Sequence, residues 1–235
     1  MTPRGGFARR RIPPLQTPPL ARQLRLDLAG SPTYDRAAFI VSPANADAVR
    51  ALDAWPAWHG GCLTLVGPAG AGKTHLARSW GVAAGALAWP DGGGLPAASG
   101  RPVLFEDADR GFDDEALFHL INMAAAGGGL LLTGRTPPSE WPTRLPDLRS
   151  RLNALPVALM HEPDDAILGG VMAKLFRERH IRASEDLLVY LVRRIERSVP
   201  AARRVVERLD DAAEGRPVTR ALAREVLEDT GDLFD

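Results

Sequence analysis

The clearest chemistry in the 235-residue chain lies in one short stretch, Gly67-Pro68-Ala69-Gly70-Ala71-Gly72-Lys73-Thr74, followed by His75. Glycines at 67, 70 and 72 let the backbone wrap around a polyphosphate and point N–H donors and a helix N-terminus at its oxygens. Lys73 adds a point charge toward the β- and γ-phosphates. Thr74 offers a hydroxyl to Mg²⁺, a hard cation that leaves its other positions to phosphate oxygens and water. The alternative is a glycine-rich turn that happens to contain Lys-Thr. Context separates the two: Cys62 to Val66 reads as a buried strand and His75 to Trp80 as a helix start, the strand, loop, helix order that a phosphate-binding loop requires.

A second element is Val103-Leu104-Phe105-Glu106-Asp107, an apolar strand ending in two carboxylates. Beside a phosphate loop such a pair holds Mg²⁺ through its water shell and orients an attacking water. Glu106 is assigned to the metal and Asp107 to the water, against the alternative of a solvated acidic strand end. Arginines form the third element, with Arg149-Ser150-Arg151-Leu152 ahead of one strand and Arg197 between two helices. Arginine neutralises charge on a transferring phosphoryl group, in its own subunit or in a neighbour's. All but two of the 29 basic residues are arginine, so position alone does not choose among them.

The elements that must hold these groups follow from patterning. Short apolar runs at Ala86 to Trp89, Val103 to Phe105, Leu130 to Thr133 and Val157 to Leu159 alternate with helical segments, which predicts a mostly parallel sheet covered by helices. The Gly/Pro-rich stretch from Pro90 to Pro102 reads as a loop, and Gly127 to Gly129 as a helix end before a strand. From Asp164 onward strands stop and four helices are expected. One carries the stripe Ile167, Leu168, Val171, Met172, Leu175 and Phe176, and the next carries Leu187, Leu188, Leu191, Val192 and Ile195. Ser184 is the expected N-cap of the second. The others run from about Val199 to Ala213 and from about Thr219 to Glu228. The fold class expected is α/β: a P-loop domain over residues 34–162 and a small four-helix lid over 163–235, after a basic, proline-rich tail over 1–33.

Zero formal net charge names no partner, and 45% apolar residues is ordinary for a globular chain. The single cysteine, Cys62, cannot form an internal disulfide, which points to a reducing compartment. No apolar run approaches the roughly 20 residues of a membrane span and no secretory signal is evident, so no membrane role and a cytoplasmic location are expected. Residues 1–25 hold six arginines and no acid, the pattern of a transit peptide or a nucleic-acid arm. Prolines at 3, 13, 14, 18 and 19 favour an extended lead-in instead.

These motifs together resemble the AAA+ module of the bacterial replication initiator DnaA, over about residues 34 to 230. Local matches are Phe39-Ile40-Val41 with Asn45, Gly-Lys-Thr-His at 72 to 75, Thr-Gly-Arg-Thr-Pro-Pro at 133 to 138 and Leu-Arg-Ser-Arg-Leu at 148 to 152. The resemblance implies bound ADP or ATP with Mg²⁺, an arginine finger at Arg151 and a nucleotide-sensing lid arginine at Arg197. It departs at Arg135, where that family has an acidic residue. The reversed charge near the γ-phosphate position implies binding with weak or absent turnover by this chain itself.

The initiator continues into a helix-turn-helix domain, whereas this sequence runs into the acidic segment Leu227 to Asp232, so no double-stranded-DNA reader is expected. Gln23-Leu24-Arg25-Leu26-Asp27-Leu28 reads alone as an edge strand with alternating apolar residues. On a tail ahead of an initiator-like module it resembles the peptide that docks on the DNA polymerase sliding clamp, with Gln23 as polar anchor and Leu24, Leu26 and Leu28 in an apolar pocket. The combination is similar to the Hda-type regulatory inactivators of DnaA. That likeness implies ADP binding, the sliding clamp and the initiator as partners, and stimulated hydrolysis of the initiator's ATP. An exposed finger also implies self-association, since its target is a neighbour's site. The rivals are a helicase-loader type ATPase and an adaptor for which nucleotide is only a structural ligand.

Overall fold

Continuous apolar runs with both faces covered are the signature of central parallel strands, and two strands fit it. In the computed structural model, which describes residues 34–89 and 100–228, β1 (Cys62–Val66) and β4 (Gly129–Gly134) are buried at every position. They pair in parallel with Cys62 opposite Leu130 and Val66 opposite Gly134. Outside them lie β3 (Pro102–Phe105) and then β2 (Leu87–Ala88) on one side, and β5 (Val157–Leu159) on the other. The sheet order is β2-β3-β4-β1-β5, all parallel. The clamp-type peptide with Gln23, Leu24, Leu26 and Leu28, the basic lead-in, residues 90–99 and the residues after 228 lie outside the described residues.

Alternation along the strands sorts side chains onto two cores. Leu63, Leu65 and Leu131 face α1 (Ala46–Asp53) and α2 (Lys73–Ala84), where Leu52, Leu76 and Trp80 are buried. Cys62, Leu130 and Leu132 face α3 (Asp114–Ala125) and α4 (Pro146–Ala154), where Leu117, Leu120, Leu148 and Leu152 are buried. The result is a helix, sheet, helix sandwich. No helix among the described residues is long and apolar enough to cross a membrane.

The strand expected at Ala86 to Trp89 is shorter because helix α2 claims its start. Gly85 adopts φ 62°, and the N–H of Ala86 closes back on the Gly81 carbonyl at 2.8 Å, ending the helix and removing that donor from the sheet. After β5 come α5 (Asp165–Glu178), α6 (Glu185–Val192), α7 (Val199–Ala213) and α8 (Arg220–Glu228). Side-chain caps start three of them: Asp164 accepts from Ile167 N, Ser184 from Leu187 N and Ser198 from Ala201 N. Leu168, Met172, Phe176, Leu187, Leu191, Val206 and Leu209 form their shared core. Ile195 packs on that core from beyond the end of α6, so the stripe read from sequence runs past its helix.

An aromatic cluster braces the start of β4. Trp55, Trp58 and Trp80 stand with ring centroids 4.8 to 5.4 Å apart, and the Trp55 ring fills the space that a Cβ on Gly129 would need. Gly129→Ala is therefore expected to destabilise the fold by about 1–3 kcal/mol, the usual cost of overpacking. A urea titration would read this as a lower midpoint with an unchanged slope; an unchanged midpoint would show that the ring yields without cost.

Candidate functional site

The loop after β1 is fixed at both ends before any ligand is considered. At its start, Gly67 N–H donates to the Gly134 carbonyl at 3.2 Å, and the Met160 carbonyl leaves no room for a Cβ on Gly67. In its middle, Ala71 N–H turns back on the Pro68 carbonyl, and Gly70 and Gly72 take φ 77° and 98°, a region that glycine enters without strain. At its end, Gly72 is the N-cap of α2 and brings no side-chain acceptor. The first-turn N–H groups of α2 are thereby left for an external acceptor at the positive end of the helix dipole, the arrangement that binds phosphate.

Lys73 is buried and folded onto its own loop, with Nζ donating to the carbonyls of Gly67 at 2.6 Å and Pro68 at 2.9 Å. Burial holds its ammonium below the usual lysine range; Asp107 and Asp109 oppose that shift, while Arg135 and Arg110 reinforce it. A polyphosphate therefore meets a lysine already desolvated and surrounded by mixed charge. Pro68 is half-buried, Ala69 is exposed and Ala71 is buried, so Ala69 marks the outer rim of the loop. Thr74 is exposed, on a cleft of about 830 Å³ that Glu106 and Asp107 also line. His75 turns elsewhere: its Nε2 lies 3.1 Å from the Asp35 carbonyl and its ring packs against Tyr34 and Phe39, which pins the entering chain over α2.

The two carboxylates have unequal surroundings. Glu106 accepts from Arg78 Nε at 2.7 Å, and the same guanidinium donates to the Tyr34 hydroxyl at 2.8 Å and stacks over that ring. Asp107 sits at φ 52°, with its N–H donated to Thr133 Oγ1 at 2.9 Å and its carboxylate 3.3 Å from Arg110. Thr74, Glu106 and Asp107 offer the hard oxygens Mg²⁺ prefers, yet each carboxylate already has an arginine partner. The donor set as it stands does not fit a firmly held ion.

Three neighbours were not assigned to the site from sequence. Asp109 accepts from Arg135 N–H at 2.8 Å through Oδ2, while its buried Oδ1 has no partner among the described residues; the carboxylates at 106, 107 and 109 were the only local signal. Ser198 and Pro200, at the start of α7, crowd Gly70, and Val199 N–H donates to the Gly70 carbonyl at 3.1 Å. Nothing local in the sequence marks that contact. Arg197 donates to the Pro163 carbonyl at 3.1 Å and to Asp165 at 2.8 Å. It fastens α7 to the start of α5, so the backbone of Val199 is what meets the loop.

Arg149 and Arg151 also divide. Arg149 donates to the carbonyls of Ser139 and Trp141 and holds the turn before α4. Arg151 lies with its guanidinium carbon 4.8 Å from the Phe118 ring centroid and has no hydrogen-bond or ion-pair partner among the described residues. Its charge acts on Cys62, whose thiol burial pushes up to about 12 against the pull of Arg151. Cys62 opens β1 and the phosphate loop leaves its other end, about 13 Å away along the strand. Arg151 lies on α4, which covers the opposite face of the sheet from α2, the helix that Lys73 begins.

No protein-family model matches the chain. Solved structures do match it. Domain III of the Thermotoga maritima replication initiation protein DnaA aligns with a TM-score of 0.70 at 20% identity, covering 85% of this chain and 97% of that one. The replication initiator DnaA bound to AMPPCP and single-stranded DNA gives 0.64 at 16% identity, covering 86% and 71%. A variant of Thermotoga maritima RuvB gives 0.63 at 15%, covering 84% and 72%. At such identities the likeness is one of fold: this chain has the AAA+ fold of DnaA domain III and RuvB, a parallel five-stranded sheet between helices with a small helical lid.

Proposed function

We propose that this chain is a regulator of replication initiation that binds adenine nucleotide, with ADP as the resident form, and acts on the ATP of a DnaA-type initiator. The loop geometry around Lys73 and the likeness to DnaA bound to AMPPCP support the nucleotide part. In this reading the residues from Gly67 to His75 hold the nucleotide, Asp107 faces the attacking water, and Thr74 and Glu106 lie toward any divalent ion. The lid closes through Ser198 to Pro200, with Arg197 bracing it. The single observation that carries the regulatory part is the place of Arg151: without a hydrogen-bond or ion-pair partner among the described residues, on a helix that covers the opposite face of the sheet from the helix its own phosphate loop begins. An arginine so placed serves a neighbouring molecule's nucleotide.

The mechanism then has two stages. Gln23, Leu24, Leu26 and Leu28 dock on the sliding clamp, which raises the local concentration of the chain near an initiator on adjacent DNA. Arg151 enters the initiator's site and stabilises charge developing on the γ-phosphate, an effect of about 10³-fold or more for arginine fingers generally. The chain's own nucleotide keeps the sheet domain and lid in the arrangement that presents Arg151. Its own turnover is weak or absent, and it works in the cytoplasm, with self-association through the same finger surface as a competing state.

Two variants separate the parts. Lys73→Ala should lower affinity for ADP by about a hundredfold or more in titration calorimetry, because a charge-assisted phosphate contact is lost from a desolvated position; unchanged affinity would remove the loop from the nucleotide reading. Arg151→Ala should bind ADP as the parent does, yet lower clamp-dependent hydrolysis of initiator-bound ATP by about two orders of magnitude. Retained stimulation would refute the finger assignment.

A further inference from the structure

The parallel register fixes what stands beside the phosphate loop. Val66 pairs with Gly134 and Phe105 with Leu132, so Gly67, Arg135 and the Glu106-Asp107 pair leave the sheet along one edge. Adjacent strands lie about 4.8 Å apart, which puts the Arg135 backbone one strand from the loop and between the loop and the acidic pair. The position is held from both sides: Gly134 accepts from Gly67 N–H, and Arg135 N–H donates to Asp109. Arg135 is exposed, and its side chain has no hydrogen-bond or ion-pair partner among the described residues.

Charge around that edge is unusual for a site meant to hold a divalent ion. Glu106 is tied to Arg78, which Tyr34 secures in turn, and Asp107 stands against Arg110. Four cations, Lys73, Arg78, Arg110 and Arg135, thus share this edge with three carboxylates, Glu106, Asp107 and Asp109. A divalent ion beside a phosphate loop needs carboxylates free to take its water shell, and it serves to neutralise the polyphosphate. Here Glu106 and Asp107 are each paired with an arginine, and Arg135, whose charge acts on Lys73, leaves the sheet between them and the phosphate loop.

We propose that Arg135 is a phosphate-binding residue that takes over the charge-neutralising part of a divalent ion, so that this chain holds a nucleoside polyphosphate nearly independently of Mg²⁺. The inference rests on the nucleotide reading above and adds to it the ionic requirement of the site. A planar guanidinium presents paired donors to phosphate oxygens, which suits it to that task. Because Arg135 supplies its backbone N–H to Asp109, replacing the side chain leaves that structural bond in place.

The test is titration calorimetry of the full chain with ADP and with ATP, each in Mg²⁺ and in excess EDTA, for the parent, Arg135→Gln and Arg135→Asp, with thermal unfolding to check that each variant is folded. For the parent, chelation should change either affinity by less than about threefold, whereas Arg135→Gln should lose about tenfold or more in EDTA and recover most of it in Mg²⁺. Arg135→Asp should need Mg²⁺ more strongly still. Equal loss on chelation for parent and Arg135→Gln would overturn the inference while leaving nucleotide binding intact. Absence of binding by the parent in both conditions would remove the nucleotide reading and this inference with it.

Discussion

The register between β1 and β4 is the constraint on which the site depends. One hydrogen bond, from Gly67 N–H to the Gly134 carbonyl, extends the ladder that sets Val66 opposite Gly134 and fixes where the phosphate loop leaves the sheet. Both strands are buried on both faces, so a slip of one residue would move Leu63, Leu65 and Leu131 into the wrong core. Packing that stabilises the fold therefore also aligns Lys73, Asp107 and Arg135. A functional arrangement of charged groups is held by apolar contacts on the far side of the same strands.

The same sheet separates two kinds of chemistry. Its outgoing edge carries the loop and the charges that would meet a nucleotide. Arg151 is on α4, which covers the opposite face of the sheet from α2. Under the proposed function, this division keeps the chain's own nucleotide apart from the one on which Arg151 acts. The lid joins the first edge through a backbone contact, Val199 N–H to the Gly70 carbonyl.

Features set by local pattern were legible in the sequence. The loop, its strand and its helix follow from glycine spacing and an apolar run, and Ser184 caps α6 as its position implies. Features set by contacts between distant residues were not. Arg78 reaches Glu106 across 28 residues and Tyr34 across 44, which changes what Glu106 is free to do. Arg197 finds Pro163 and Asp165 more than thirty residues away, and Pro200 stands near the loop. Arg151 could be singled out among many arginines only by resemblance, and its separation from the loop follows from which sheet face α4 covers.

The central claim is that Arg151 completes a nucleotide site on another molecule. The most direct measurement is a structure of this chain bound to an initiator carrying a non-hydrolysable ATP analogue, assembled on a DNA-loaded clamp. The account predicts the Arg151 guanidinium within hydrogen-bond distance of the γ-phosphate held by the initiator, with a second nucleotide in this chain's own loop. A complex in which Arg151 faces solvent, or lies over Phe118 as it does here while another side chain reaches the γ-phosphate, would contradict it.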